Sequence, residues 1–119
     1  MGILEKRRKI RESVIKKSLD WVSSLPFKLT AILIGSYARG DFNLWSDVDI
    51  LLISRKFKGN PVERLRNIDF PAGFQVIPLT EKEFRILLKR GEPLILEAKE
   101  KGVILRDDLK LFGEDSNEN

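Results

Sequence analysis

The sequence predicts an α/β domain of the α+β type, in which a small mixed sheet of about four strands is flanked by helices. Short apolar runs with the length of strands alternate with segments of helical periodicity. Glycine, proline or a capping residue stands at most boundaries. The predicted order is α, β, short α, β, α, β, α, α, β. The 119-residue length suits one domain, placed at 1–112, with a disordered polar tail at 113–119.

Residues 1–25 are predicted to form an amphipathic helix that Pro26 ends. Apolar residues recur there at spacings of seven and four, as on one helix face. The apolar positions are Ile3, Ile10, Val14, Trp21 and Leu25, with Leu4, Ile15 and Val22 widening the stripe. We therefore expect this helix to pack against another apolar surface.

The later elements are predicted from apolar runs and capping signals. The predicted strands are 29–34, 48–53, 73–79 and 103–105. The predicted helices after the first are 60–68, 81–90 and 93–101. Thr80, followed three residues later by Glu83, has the pattern of a capping box. The strand at 29–34 leads directly into a turn of small residues at 35–40.

The composition excludes several kinds of site. Cysteine and histidine are absent, which excludes disulfides and thiolate metal sites and removes the commonest zinc ligand and general base. Catalysis would have to use carboxylates, hydroxyls, lysine, arginine or a metal. The sequence shows no membrane-length apolar segment and no secretory signal, so we expect a cytoplasmic protein without membrane contact. The abundance of Lys, Arg and Glu favours a thermophilic source.

Positive charge is concentrated near the beginning of the chain, where residues 1–28 contain eight Lys or Arg and three Asp or Glu. Such a segment can bind nucleic acid or an acidic partner, and it can equally be the solvated face of a helix. We favour the solvated face, because no aromatic residues alternate with the basic ones as a base-stacking platform requires. Nucleic-acid binding stays open as an alternative.

Residues suited to chemistry concentrate between Gly35 and Asp49. Gly35 and Gly40 have the spacing of P-loop glycines, but Asp41 occupies the position of the phosphate-binding lysine, which excludes a P-loop. A dinucleotide-binding fingerprint is excluded as well. A Gly-Ser turn remains at the end of a buried strand, and this arrangement suits a phosphate group.

Asp47 and Asp49 stand at the start of the next predicted strand, with Val48 between them directed into the core. Residues two apart in a strand point to the same face, so the carboxylates would lie about 6–7 Å apart. Two ionised carboxylates repel each other unless a cation lies between them. Mg²⁺ commonly binds one or two carboxylates together with substrate phosphates. Ser36 and the turn's N–H groups would receive those phosphates, with Arg39 compensating charge.

Simpler interpretations of the same residues stay open. Ser36 could cap a helix, and each aspartate could cap a loop or pair with Arg39 or Arg55. Together, the turn, the spacing and the buried strand favour a nucleotide and metal site. Trp21 and Trp45 are assigned to packing or an interface and to no chemistry.

A family resemblance is carried by two motifs, Gly35-Ser36-Tyr37-Ala38-Arg39-Gly40 and Ser46-Asp47-Val48-Asp49. They resemble the minimal nucleotidyltransferases of the DNA polymerase beta superfamily, in which a Gly-Ser and an Asp-x-Asp hold metal and triphosphate. Looser similarity extends over 29–105. The resemblance implies a polymerase-beta-like nucleotidyltransferase fold. It also implies transfer of a nucleoside monophosphate from ATP or another triphosphate to an acceptor hydroxyl, at a one- or two-magnesium site.

The resemblance assigns Asp47 and Asp49 as catalytic metal ligands. The predicted phosphate-binding residues are Gly35, Ser36, Arg39 and Gly40. In that family a third carboxylate usually lies on the following strand and helps to activate the acceptor hydroxyl. The corresponding position here is Gln75, an amide. Glu81, Glu83 and Asp69 lie nearby in sequence, but each is more simply interpreted as a cap, a helix-surface charge or a loop residue.

Three classes of function therefore stay open: an active transferase, a degenerate nucleotide- or partner-binding module, and a basic nucleic-acid binder. In prokaryotes, small domains of this family are often paired with a helical HEPN protein, as antitoxin and toxin or as halves of one enzyme. The resemblance thus implies a HEPN-type partner here. A chain without histidine cannot itself be the RNase-like HEPN half. The acceptor, the preferred base and homo-oligomerisation stay open.

Overall fold

The computed structural model describes residues 2–112, and its elements follow the predicted order. The helices are α1 (Ile3–Ser23), α2 (Gly35–Arg39), α3 (Pro61–Leu65), α4 (Glu81–Lys89) and α5 (Pro93–Lys101). The strands are β1 (Thr30–Ile34), β2 (Val48–Ile53), β3 (Phe74–Leu79) and β4 (Val103–Asp107). The predicted polar tail at 113–119 lies outside the described residues.

The four strands form one sheet in the order β3-β2-β1-β4. β1 runs antiparallel to β2 and β4, whereas β2 and β3 are parallel. The predicted fold class, a mixed four-stranded sheet flanked by helices, is confirmed. Because β1 and β2 are antiparallel, the end of β1 lies beside the start of β2. The start of β3 lies at this same edge of the sheet.

Alternating strand residues contribute to two cores, one on each face of the sheet. The first core contains strand residues Ala31, Leu33, Val48, Ile50 and Leu52 together with Trp21 and Val22 of α1. The second contains strand residues Ile32, Ile34, Leu51 and Ile53 together with Phe84, Ile95 and Ala98 of α4 and α5. The predicted inward orientation of Val48 is confirmed. The sheet is therefore covered by α1 on one face and by α4 and α5 on the other.

Two helices begin at capping boxes. The side chain of Asn60 accepts the N–H of Glu63, whose carboxylate accepts the N–H of Asn60. Thr80 and Glu83 form the same reciprocal pair at α4, as predicted. Arg64 of α3 donates two hydrogen bonds to Glu83, at 2.7 and 2.9 Å. The first turn of α4 is thus tied to α3.

Several element boundaries differ from the predicted ones. α1 ends at Ser23 and α3 at Leu65, earlier than predicted, while β4 continues past Leu105 to Asp107. The longer β4 is held by side chains: Thr30 Oγ1 donates to Asp107 at 2.8 Å, and Arg106 donates to main-chain carbonyls at the end of α1 and beyond it. Long-range hydrogen bonds of this kind leave no periodic pattern in the sequence.

The apolar stripe of α1 is covered only in its C-terminal half. Trp21 is buried, whereas Ile3 is 75% and Ile10 42% exposed. The expectation that the whole stripe packs is therefore wrong for the N-terminal half. A helix of 21 residues is about 32 Å long, whereas strands of five or six residues span about 17–20 Å. The N-terminal half of α1 therefore extends beyond the sheet. Within residues 2–112, neither α1 nor another helix is long and apolar enough to cross a membrane.

Candidate functional site

The two predicted motifs meet at one edge of the sheet. Ile34, the last residue of β1, lies opposite Asp49 in the antiparallel register. Gly35 and Ser36 therefore continue directly beside Asp49. Asp47 is exposed just before β2, and Asp49 is half-buried within it. The topology thus brings the Gly-Ser turn and the Asp-x-Asp together.

Gly35 permits an unusually close approach between these two segments. Its φ is +77°, a left-handed conformation that glycine adopts at little cost. A Cβ at this position would collide with Oδ2 of Asp49. The missing side chain therefore makes room for the carboxylate of Asp49, a requirement that the sequence does not reveal.

Asp49 has a buried oxygen without a partner. Its Oδ1 atom is buried and accepts no hydrogen bond from any described residue. Burial and then the nearby charge of Asp47 raise the pKa of Asp49, while Arg39 opposes them by lowering it. An ionised carboxylate with an unsatisfied buried oxygen is costly to the fold. A cation at this point would remove that cost.

The turn presents hydrogen-bond donors beside the carboxylates. α2 begins at Gly35, its N-cap residue is Ile34, and no side chain caps it. The interpretation of Ser36 as a helix cap is therefore wrong. Gly40 ends this short helix with a φ of +97° and donates its N–H to the carbonyl of Ser36 at 2.8 Å. The Ser36 hydroxyl and the first-turn N–H groups are the donors at this edge.

Arg39, the predicted charge compensator, lies at the end of α2. Its guanidinium contacts Asp41 at 3.2 Å and Glu97 of α5 at 2.5 Å. The hydrogen bonds that its guanidinium donates to these carboxylates, first to Glu97 and then to Asp41, raise the pKa of Arg39. Arg39 is therefore engaged, and binding a phosphate would require it to exchange partners.

The predicted alternative in which the aspartates form ordinary ion pairs is not found. Within residues 2–112, neither Asp47 nor Asp49 forms a salt bridge with Arg39 or Arg55. Arg55 pairs instead with Glu81 at 2.5 Å. In the described part of the chain, the two carboxylates at the sheet edge are thus paired with neither arginine.

Gln75 lies directly beside Asp49 in the sheet, because the parallel register pairs the two residues. Its side chain is exposed. This is the place that the resemblance assigns to a third carboxylate. Glu81 and Glu83 do not substitute for it: they lie beyond the far end of β3, paired with arginines. Within the described chain, no three or more Asp, Glu, His or Cys side chains form a group able to hold a metal.

A family model described as a nucleotidyltransferase domain matches residues 7–111. The chain belongs to this nucleotidyltransferase family. The family resemblance of the two motifs is therefore confirmed. A crystal structure at 1.40 Å resolution, of a protein from Sulfolobus solfataricus described as a candidate nucleotidyltransferase, is 22% identical with a TM-score of 0.52. The similarity covers 85% of this chain and 83% of that one and supports the fold. No curated protein matches the chain.

Two arginines that the sequence analysis missed hold the site of this nucleotidyltransferase domain in place. Arg7 donates to the carbonyls of Gly40 and Phe42 at 3.0 and 2.7 Å, and its guanidinium lies 4.3 Å from the centre of the Phe42 ring. Arg11 donates to the carbonyl of Tyr37 at 2.7 Å and to the next one at 2.9 Å. The interpretation as a solvated face is therefore wrong for both arginines.

A sequence signal for Arg7 does exist. The residue falls between Ile3 and Ile10 on the apolar stripe of α1, where a solvated cation is out of place. Together, Arg7 and Arg11 satisfy carbonyls at the end of α2 and in the following loop, groups that a helix end leaves unpaired. The N-terminal helix of the nucleotidyltransferase domain therefore supports the segment between the two motifs.

Proposed function

We propose that this domain binds a nucleoside triphosphate, ATP in the first instance, together with Mg²⁺ and transfers its nucleoside monophosphate to an acceptor hydroxyl. The observation that carries the proposal is the buried, unpartnered oxygen of Asp49 beside Asp47 and the Gly35 turn. Membership of the nucleotidyltransferase family supports the reaction type. A carboxylate buried without a donor is otherwise unfavourable to the fold, so a bound cation accounts for it.

The residues present fit a magnesium ion. Asp47 and Asp49 offer the hard oxygen ligands that Mg²⁺ prefers, and one of these oxygens has no protein partner. When bound, the ion would neutralise charge on the phosphates and favour displacement of pyrophosphate. Since Gln75 brings no negative charge, the protein supplies ligands for one ion more readily than for two.

The turn would bind and orient the triphosphate. Ser36 and the N–H groups at the start of α2 have no side-chain cap, so they can donate to phosphate oxygens. Arg39 would exchange Asp41 or Glu97 for a phosphate, which offers it a charge-assisted hydrogen bond in return. The acceptor hydroxyl would lie next to Gln75, whose amide oxygen can accept a hydrogen bond.

The position of Gln75 also favours a second candidate, a module that binds the nucleotide without transferring it. An amide orients a hydroxyl but is a poor proton acceptor. Loss of positioned general-base help typically slows a reaction by about 10²- to 10⁴-fold. The rate of transfer can therefore be low although the nucleotide binds. Nucleotide binding consequently tests this site more directly than the rate of transfer does. The third candidate, nucleic-acid binding by α1, is less supported, since Arg7 and Arg11 are used internally.

We extend the proposal to a partner of the HEPN type that supplies or controls the acceptor. The family resemblance supports this, as it supports a toxin–antitoxin role. We also propose a cytoplasmic location and a thermophilic source. These two proposals rest on the sequence alone.

The proposed function is tested by titrating ATP into the wild type and into Asp49→Asn, with Mg²⁺ and with a chelator. We expect Mg²⁺-dependent binding in the wild type and a loss of roughly tenfold or more in Asp49→Asn, because a charged ligand is removed. Asp20→Asn, which removes an exposed carboxylate of α1 that pairs with Lys16, is the matched control and should bind normally.

Equal ATP affinity for wild type and Asp49→Asn under both conditions would contradict the metal site. Transfer is measured separately, with a triphosphate labelled at the α-phosphate and candidate acceptor proteins and RNAs. Labelled product that forms in the wild type and not in Asp49→Asn supports the transferase. Mg²⁺-dependent binding without labelled product supports the non-catalytic module.

A further inference from the structure

An exposed apolar surface, which we call the docking face, lies beside the candidate site. It consists of Ile3, Leu4 and Ile10 of α1 with Leu44 and Trp45 of the loop before β2. Leu44 is 85% and Trp45 88% exposed. Single exposed apolar residues are common on protein surfaces, but adjoining ones mark interaction sites.

The two parts of the docking face are joined. Arg7 lies between Ile3 and Ile10 along α1, and its hydrogen bonds to the loop hold the loop against the helix. A shallow pocket of about 110 Å³ lies between them, lined by Arg7 and Ile10 on one side and by Phe42 and Leu44 on the other. Ile10 of the helix and Leu44 of the loop therefore border the same pocket.

Leu44 and Trp45 project from an ordered turn. The N–H of Asn43 donates to Ser46 Oγ at 2.9 Å, and the N–H of Trp45 donates to Asn43 Oδ1 at 2.8 Å. The N–H of Ser46 donates to the carbonyl of Asn43 at 3.1 Å. These bonds fix the turn, so that the two large apolar side chains are exposed to water and neither contributes to the core. The turn also leads directly into Asp47, so whatever covers it approaches the site.

The charges around the docking face select among possible occupants. Lys6, Arg8 and Lys9 are exposed along the same half of α1, so a second copy of this chain would bring like charges together. Nucleic acid is disfavoured because Glu5 and Glu12 lie 3.9 and 4.0 Å from Arg8 and interrupt the positive surface. Four of the five docking-face residues are aliphatic and cannot stack on bases. A partner surface that is apolar and bordered by acidic residues would complement the docking face.

We propose that the docking face binds an amphipathic helix of a partner protein, whose apolar side chains cover Leu44 and Trp45 and whose flanking carboxylates meet Lys6 and Lys9. Helices commonly bind apolar grooves in this way. The proposal deepens the proposed function, because it places the partner beside Asp47. It rests on that function only for the partner's role, and the binding is measured independently of nucleotide.

Two synthetic amphipathic helical peptides with the same leucine face test the proposal, one flanked by Glu and the other by Lys. Calorimetry should show the Glu peptide binding at least about tenfold more tightly, and Leu44→Ser or Trp45→Ser weakening it by a similar factor. Binding should also shift the emission of Trp45 to the blue, since Trp21 is already buried. Val62→Ser, which removes a 74% exposed side chain from α3, should bind normally.

Equal affinity for the two peptides, or unchanged binding by Leu44→Ser, would overturn the proposal. Preference for a single-stranded oligonucleotide over the Glu peptide would assign the face to nucleic acid instead. Sedimentation showing a dimer that Leu44→Ser disrupts would assign it to a second copy. Trp45→Ser should keep Mg²⁺-dependent ATP binding, and Asp49→Asn should keep peptide binding. A failure of peptide binding at the docking face is thereby distinguished from a failure of ATP binding at the candidate site.

Discussion

Gly35 and Asp49 constrain each other at the level of single atoms. The backbone at Gly35 is left-handed, and a Cβ there would collide with the carboxylate of Asp49. A side chain at position 35 would therefore strain the backbone and also displace a predicted metal ligand. The two effects can be separated by comparison with a left-handed glycine at which a side chain would strain the backbone without displacing a neighbour.

Gly91 provides that comparison, since its φ is +72° and a Cβ there would meet nothing within 4 Å. We expect Gly91→Ala to destabilise the fold by about 1–2 kcal/mol, the usual cost of a left-handed alanine. Gly35→Ala should cost more and should also weaken Mg²⁺-dependent ATP binding. Urea unfolding and calorimetry measure the two quantities. Equal destabilisation with unchanged ATP affinity would show that Asp49 moves aside without consequence.

Gln75 is the residue on which the rate of transfer should depend most. Gln75→Asp or Gln75→Glu places a carboxylate beside Asp49, where it can bind the cation and accept the acceptor's proton. We expect at least one of them to raise nucleotide transfer, by up to about 10²- to 10⁴-fold. Gln75→Asn is the control, since it has the size of aspartate without the charge. Rapid transfer by the wild type and slower transfer by both acidic variants would show that another residue supplies the third ligand.

At the level of elements, local patterns predicted the structure where a local interaction determines it. Reciprocal side-chain bonds at Thr80 and Glu83 span three residues, so the start of α4 is readable from the sequence. The end of β4 is different, because Thr30 and Asp107 are far apart along the chain. The exposure of Ile3 also depends on how far α1 extends past the sheet. Periodicity shows which face of a helix is apolar, but not what covers it.

The ion pair between α3 and α4 should make stability depend on acid. Arg64 first, and then the N–H of Thr80, lower the pKa of Glu83 from 4.5 to about 2. Because the folded-state value is the lower one, the stabilisation is complete above the unfolded value of 4.5 and is lost as the pH falls towards 2.

Glu83→Gln should therefore be less stable than the wild type at pH 7, by about 1 kcal/mol, since partial exposure screens the pair. The difference should disappear as the pH approaches 2, which thermal unfolding at a series of pH values can follow. Glu92→Gln changes an exposed carboxylate that forms no salt bridge or side-chain hydrogen bond within residues 2–112, and it should show no such convergence. A constant difference between wild type and Glu83→Gln at all pH values would contradict the assignment.

At the scale of the whole molecule, the site depends on contacts between segments far apart in sequence. The motif spacing predicted that Ser36 and Asp49 would share a site, and the strand register places them together. The engagement of Arg39 by Glu97 joins residues 58 positions apart, and no sequence pattern indicates it. The support from Arg7 and Arg11 is equally remote in sequence. Motifs therefore predicted which residues lie together at this edge of the sheet, but not which residues support them.

Arg11 tests whether α1 supports the nucleotide site across the molecule. Arg11→Met keeps the side chain's length but loses its hydrogen bonds to the carbonyls of Tyr37 and the next residue, at 2.7 and 2.9 Å. Leaving these carbonyls unpaired should lower stability by about 1–3 kcal/mol. ATP affinity should fall as well, because α2 carries the turn that we propose to bind the phosphates. Arg11→Lys should recover only part of both, since lysine cannot reproduce the guanidinium's paired donors.

Arg8→Met is the control, because Arg8 is exposed on α1 and its ion pairs with Glu5 and Glu12 are long, at 3.9 and 4.0 Å. Its effect on stability should stay within about 0.5 kcal/mol, and its ATP affinity should equal that of the wild type. Urea unfolding gives the stability of each variant, and calorimetry with Mg²⁺ gives the affinity of the folded protein. If Arg11→Met lost stability but bound ATP as tightly as Arg8→Met, α1 would support the fold without positioning the turn. A loss of ATP affinity in Arg11→Met alone would mean that a change on α1 alters the candidate site through the two hydrogen bonds of Arg11.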